Sequence, residues 1–233
     1  YLQDHEQALS DLITYEALVE PLPDTYADIM TELSNQHDTS SLLWMRAMIR
    51  SNNEDYKEAI IYFDNYITSH PNDAEAHFQR GYAYTHSGQA YEAIPNYDRA
   101  IQLDPQYTEA YFWRGLARRR TTDYEGGVQD LQQVVTLDPD FERIHHELGY
   151  AYWALGDDVD DRQLKYQAID ELTIAIDAGE HDLYTMRAYF YADLWENQLA
   201  LADLESYEES VGPLTSGAQN LKENVKDRLG IKD

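Results

Sequence analysis

The chain has 233 residues, 43% of them hydrophobic, enough for a continuous buried core in one large domain or two small ones, which excludes disorder throughout. Its 44 Asp and Glu against 17 Lys and Arg leave a formal net charge of −27, a field that repels nucleic acid and anionic membranes and attracts basic partners, or simply keeps the surface solvated. With no cysteine, disulfides, thiolate metal sites and a cysteine nucleophile are excluded, while the compartment stays open.

No apolar run approaches the ~20 residues of a membrane span, and no basic-then-apolar signal pattern precedes Tyr1. The chain starts without Met and its first residues already read as helix, so a processed form or an excised fragment is expected. Residues 1–39 form an irregular start. Ala8, Leu12 and Tyr15 have the spacing of the second helix of a truncated repeat, ended by Pro21-Leu22-Pro23. From Ala8 to Ala59 is 51 residues, one repeat and a half, so a helix over Asp24–Asn35 should lack a regular partner.

From residue 40 the sequence keeps a beat of 34. Pro71, Pro105 and Pro139 are 34 residues apart, as are Ala59, Ala93 and Gly127, Gly81, Gly115 and Gly149, and Arg46, Arg80 and Arg114. Small residues recur where two helices approach closely, aromatics stand beside them, and proline follows each helix end. Within a frame the apolar spacing is helical twice, as in Tyr82, Tyr84, Ala93, Ile94, Tyr97 and Ile101, with Ser87-Gly88 between. Each frame is therefore a helical hairpin, and since one hairpin cannot bury both apolar faces, neighbours must stack.

These frames, 40–73, 74–107, 108–141, 142–180 and 181–214, resemble the tetratricopeptide repeat (TPR) family over about three quarters of the chain. Arg80-Gly81, Tyr84, Ala93, Tyr97, Ala100 and Asp104-Pro105 carry the resemblance in the second frame; Tyr111, Arg114-Gly115, Tyr124, Gly127, Leu131 and Asp138-Pro139 carry it in the third. It implies an all-α fold, an α-solenoid of stacked antiparallel hairpins wound into a right-handed superhelix. Gly149 and Ala188 lie 39 residues apart. A seven-residue insertion, expected as a loop over 156–162, and a two-residue deletion at Ala178-Gly179 account for that interval. Residues 215–233 carry Ala218, Leu221, Val225 and Leu229 on one stripe and read as a capping helix and tail.

The resemblance also implies that first helices line a concave groove. The candidates there are Trp44, Met48, Phe78, Gln79, Tyr82, Phe112, Trp113, Leu116, His146, Tyr150, Trp153, Met186 and Tyr189, with Arg119, Arg120 and Arg143 as basic members. Such a wall suits an apolar or aromatic peptide, although several rings can equally pack between neighbouring helices. Some family members hold a peptide carboxylate with a Lys-Asn-Asn-Lys-Arg clamp; Trp44, Met48, Gln79, Glu109 and Trp113 stand at those positions, which argues against a chaperone-tail receptor. Arg118-Arg119-Arg120 can seize an anion or neutralise a helix end. The column Arg46, Arg80, Arg114 and Arg187 recurs too regularly for a site, and pairing with Asp64 and Asp98 is the simple expectation.

Asp157, Asp158, Asp160 and Asp161 invite a calcium reading, but the spacing of a calcium loop, with its central Gly and later Glu, is missing. His145 and His146 are adjacent and point apart on a helix, so they do not chelate one ion. No catalytic motif is present and no cofactor is implied. Three readings follow: a protein- or peptide-binding scaffold, a recruiting arm of a larger enzyme or assembly machine, and a self-associating module forming a homodimer through its open N-terminal face.

Overall fold

The first helix pair shows why the chain alternates as it does. In the computed structural model, which describes residues 39–231, α1 (Thr39–Asn52) turns back into α2 (Tyr56–Ser69) through Glu54, whose φ is +61°. The expectations for Ala8, Leu12, Tyr15 and Asp24–Asn35 lie outside the described residues. The same turn recurs at Gly88, Thr122, Asp160 and Trp195, each left-handed. In four of them the next amide closes the helix end on the carbonyl five residues back, at 2.8 Å: Asp55 to Arg50, Gln89 to Tyr84, Asp161 to Gly156 and Glu196 to Tyr191. This satisfies a carbonyl that the helix end leaves without a partner. Four of these five left-handed residues are not glycine, so strain is accepted to keep the turn tight.

The chain divides into two units, one ending at Thr121 and one beginning at Thr122. In the first, α1, α2, α3 (Ala74–His86), α4 (Ala90–Leu103) and α5 (Thr108–Arg120) pack each on the next. Its core joins Ala47, Ala59, Phe63, Ala76 and Ala83 to Ala93, Tyr97, Ala100, Ala110 and Ala117, all fully buried. Alanine and glycine let the helices close up. A Cβ on Gly81 would lie 2.8 Å from the Tyr97 ring, whose hydroxyl meets Thr85 at 2.8 Å. Asp73 caps α3 by accepting from the Ala76 amide.

The second unit holds α6 (Tyr124–Leu137), α7 (Ile144–Asp158), α8 (Arg162–Asp177), a 3₁₀ turn (His181–Leu183) leading into α9 (Tyr184–Asp193), α10 (Asn197–Ser210) and α11 (Ser216–Leu229). Here the expected loop at 156–162 is corrected. Residues 156–158 belong to α7 and Arg162 opens α8, so only 159–161 form the turn and the added length is taken up by the two helices. Nine helical residues follow Gly149 where five follow Gly81, and ten precede Leu172 where seven precede Tyr97. Seven added residues thus become about one extra turn on each helix, and Leu172 packs on Gly149 as Tyr97 packs on Gly81. Gly156 permits close approach and does not break the helix: a Cβ there would sit 3.0 Å from the Asp161 carbonyl.

Three members of the arginine column, Arg80, Arg114 and Arg187, pair with acids. Arg80 reaches back to Asp64 at 2.6 Å and forward to Asn96 at 2.6 Å, tying two second helices together, and Arg114 reaches Asp98 at 2.6 Å. Arg187 donates to both carboxylate oxygens of Asp203, at 2.8 and 2.7 Å, and to Thr173 at 2.7 Å. Thr173 is 14 residues back where Asp64 is 16, so the two-residue deletion lies between Thr173 and Arg187, a stretch that includes the Ala178-Gly179 turn with Gly179 at φ +109°.

The last apolar face is covered by α11. Ala218 and Val225 are buried against Ala188, Ala192, Ala200 and Leu204, with Leu221 and Leu229 at the margin. Thr215 caps the helix, Gly230 ends it at φ +71°, and Arg228 reaches the Ala192 carbonyl and lies 4.8 Å over the Trp195 ring. No helix among the described residues is long and apolar enough to cross a membrane.

The Arg187–Asp203 pair is largely buried, with side chains 13% and 7% exposed. Replacing Arg187 by Met strands a buried carboxylate and should cost about 3–5 kcal/mol in urea unfolding. The double variant Arg187→Met/Asp203→Leu, with no charge left to strand, should recover most of that loss.

Candidate functional site

On α3 the pair Tyr82 and His86 is four residues apart, so both side chains share one face. Their rings lie 4.2 Å apart. Tyr56, opening α2, stacks on His86 at 5.2 Å, and Trp113 on α5 stands 5.2 Å from His86 and edge-on to Tyr82 at 4.9 Å. Four rings from α2, α3 and α5 therefore make one continuous surface. Tyr56, Tyr82 and Trp113 are half-buried and His86 is exposed. Phe112, also half-buried, meets Trp113 edge-on at 5.7 Å.

Other expected groove residues lie elsewhere. Phe78 and Leu116 are buried, 7% and 8% exposed, and Phe78 packs on Tyr97 and Tyr107. Both are core and are corrected as such: on a helix, residues bordering a face lean into the neighbour as its packing closes. Trp44 rests on Phe63 and Tyr66, and Met48 borders the same cluster. Gln79 donates to Glu75 at 2.7 Å. Arg120 reaches back to the Thr85 carbonyl at 3.3 Å, and Arg119 is half-buried.

In the second unit Arg143 opens α7 at φ +61° and donates to His146 at 2.9 Å, while His146 also lies 3.8 Å from Glu180. His145 points instead to Glu171 at 2.7 Å, so the two imidazoles diverge. Trp153 is stacked on Phe190 at 3.8 Å and covered by Lys165, whose ammonium is 4.9 Å from the ring and paired with Asp157 and Asp193. Tyr150 and Tyr189 are exposed, Met186 is half-buried, and the Tyr189 hydroxyl lies against Gly217 at the start of α11. Asp157 is thus held by Lys165, and Asp161 caps α8 by accepting from Gln163 and Leu164. Among the described residues no three His, Asp or Glu side chains converge as a metal ion would require.

Sequence reading missed Tyr56 and His86. Tyr56 sits on a second helix, outside the positions that line a first-helix wall. The four-residue spacing of Tyr82 and His86 was the signal available for the other.

Electrostatics differ at the two ends of this surface. Burial, reinforced by Arg120, holds the His86 imidazole below its ordinary 6.5. Near the start of α5, Tyr107 donates to Glu75, with Glu109 and Asp104 beside it. Burial first, then that hydrogen bond, pushes the Tyr107 phenol well above its ordinary range.

Residues 41–73 match the model described as "Tetratricopeptide repeat", and residues 81–121 and 123–156 the one described as "TPR repeat". The chain carries tetratricopeptide repeats. The crystal structure of a MamA protein aligns with a TM-score of 0.66 at 20% identity, covering 84% of this chain and 97% of that one. MamA 41-end from Desulfovibrio magneticus RS-1 aligns at 0.67 and 21% identity, covering 74% and 94%. At such identities the likeness establishes the fold, an all-α tetratricopeptide solenoid, whose general use is as a protein-interaction scaffold. No curated protein matches the sequence significantly.

Two imidazoles set a pH dependence. His77 donates through Nε2 to the Pro71 carbonyl, its Nδ1 is buried without a partner, and burial lowers its pKa as it does that of His86. Both folded values lie below 6.5, so the unfolded chain binds more protons as pH falls. Their contribution to stability is complete above pH 6.5 and is lost below it as pH falls through the folded values. Urea midpoints measured from pH 7.5 to 5 should fall, and His77→Gln, which keeps a donor for Pro71 without a titrating group, should flatten the profile.

Proposed function

We propose that the chain is a non-catalytic scaffold that binds an apolar or aromatic segment of a partner protein on the ring surface of Tyr56, Tyr82, His86 and Trp113. The observation that carries this reading is the contact of four partly exposed rings, on α2, α3 and α5, in one continuous cluster. Rings held by each other lose little further freedom when a ligand arrives, and aromatic side chains supply most of the energy at interfaces. The rest of the unit supports the role by rigidity, since the backbones behind the rings are locked through alanine contacts and the Arg80 ties.

The test is a displayed peptide library selected on the wild-type chain. Enriched peptides should carry an aromatic or large aliphatic anchor, and Tyr82→Ala/Trp113→Ala should weaken their binding at least about 30-fold, the effect of losing about 2 kcal/mol at a central anchor. Tyr91→Ala, at a ring 73% exposed on α4, is the control and should leave affinity within about twofold. Unchanged binding by a double variant with wild-type circular dichroism would refute the assignment of the site.

A further inference from the structure

The ring surface has charge at both ends, arranged the same way on two helices. Glu75 is the second residue of α3 and Glu109 the second of α5; His86 and Arg120 are the last residues of the same helices, and all four are exposed. The two helices run in the same direction. Tyr107, just before α5, reaches Glu75 near the start of α3, and Arg120 at the end of α5 reaches the Thr85 carbonyl near the end of α3. One edge of the surface therefore gathers Glu75, Glu109 and Asp104 around the Tyr107 hydroxyl, and the opposite edge gathers Arg120 and His86, with Glu54 the one acid acting on His86 there. Tyr82 and Trp113 lie between.

Charge of this sense also complements a helix dipole, with acids at the start and bases at the end. That effect acts on every helix, yet α2, α4, α6, α8 and α10 have no basic residue in their last turn. In the first unit, α1, α3 and α5 all have one. The basic ends in this unit thus belong to α1, α3 and α5, two of which carry Tyr82, His86 and Trp113. That placement also runs against the bulk field, since this chain, at −27, is short of bases.

We propose that this surface selects a charge-bipolar peptide segment. A lysine or arginine sits among Glu75, Asp104 and Glu109, an aromatic or large aliphatic side chain lies on Trp113 and Tyr82, and a carboxylate meets Arg120 and the His86 N–H. From Glu109 to Arg120 the helix advances about 16 Å, at about 1.5 Å per residue. An extended segment at about 3.3 Å per residue covers that in about five residues. The partner's two charges are therefore about five residues apart, with the anchor between them. This rests on the rings being the binding surface, and it adds the chemistry of the ligand.

Three acetylated and amidated six-residue peptides, titrated by fluorescence anisotropy at low salt, test it. The first has lysine at one end, phenylalanine fourth and aspartate last; the second replaces both charges by glutamine and asparagine; the third replaces aspartate by a second lysine. The bipolar peptide should bind about fivefold more tightly than the neutral one, as two exposed ion pairs allow, and more tightly than the dilysine peptide. The advantage should vanish in 1 M salt. Glu75→Gln/Glu109→Gln and Arg120→Gln should each remove part of it and leave the neutral peptide unaffected. Equal binding of bipolar and neutral peptides overturns the charge selection while leaving the ring surface standing. Tighter binding of the dilysine peptide also overturns it, in favour of simple attraction by the bulk field. Failure of all three to bind at millimolar concentration counts against the ring surface itself.

Discussion

The stack depends on helices approaching until a side chain of one lies against the bare backbone of the other. Tyr97 on Gly81 and Leu172 on Gly149 are the two places where this is plainest. Either glycine replaced by a larger residue would push the hairpin open, and the fully buried alanines around it would lose contact on both sides. The residue before each small position is then carried to a fixed place beside the neighbouring second helices. Arg80 precedes Gly81, Arg114 precedes Gly115 and Arg187 precedes Ala188, and all three pair with acids on second helices. The arginine ties are a consequence of the spacing that the glycine contact imposes, and they lock it in turn.

Much of the fold was legible because the repeat tests itself. A column that recurs at 34 residues fixes register, and the Arg–Asp pairing, the Ser87-Gly88 turn and the stripe of α11 all follow from it. Asp157–Asp161 misled because glycine beside a run of aspartates looks like a loop. In fact Gly156 marks close approach inside a helix, while Asp157 takes a lysine partner and Asp161 caps α8. The left-handed residues at Glu54, Thr122, Asp160 and Trp195 carry no glycine signal, so their role in the turns was invisible one residue at a time. Trp195 is the extreme case, left-handed and 73% exposed, with the Arg228 guanidinium over its ring.

The candidate site was only half legible, for a related reason. Helical spacing assigns a residue to a face, but a face more than 100° wide has a centre and two borders. Phe78 and Leu116 fell on the buried border, Tyr82 and Trp113 on the open one, and spacing alone does not separate them. Nor does a single helix show Tyr56, which reaches the rings from α2, in the preceding hairpin. The charge pattern was present in the sequence as Glu75, Glu109, His86 and Arg120, yet it has meaning only once α3 and α5 are known to lie side by side.

The lengthened hairpin of α7 and α8 has a bearing on how such chains can change over generations. Four residues on the outgoing helix and three on the returning one restore each stripe to nearly its former bearing, because each addition is close to a whole helical period. An insertion of five, split two and three, would swing the outgoing stripe by about 200° at about 100° per residue and turn its apolar side to water. Hairpins in a stack of this kind therefore grow in discrete increments. Drift in their length is filtered by geometry before selection on function begins, and a lineage can extend one arm of the scaffold while every neighbouring repeat keeps its sequence.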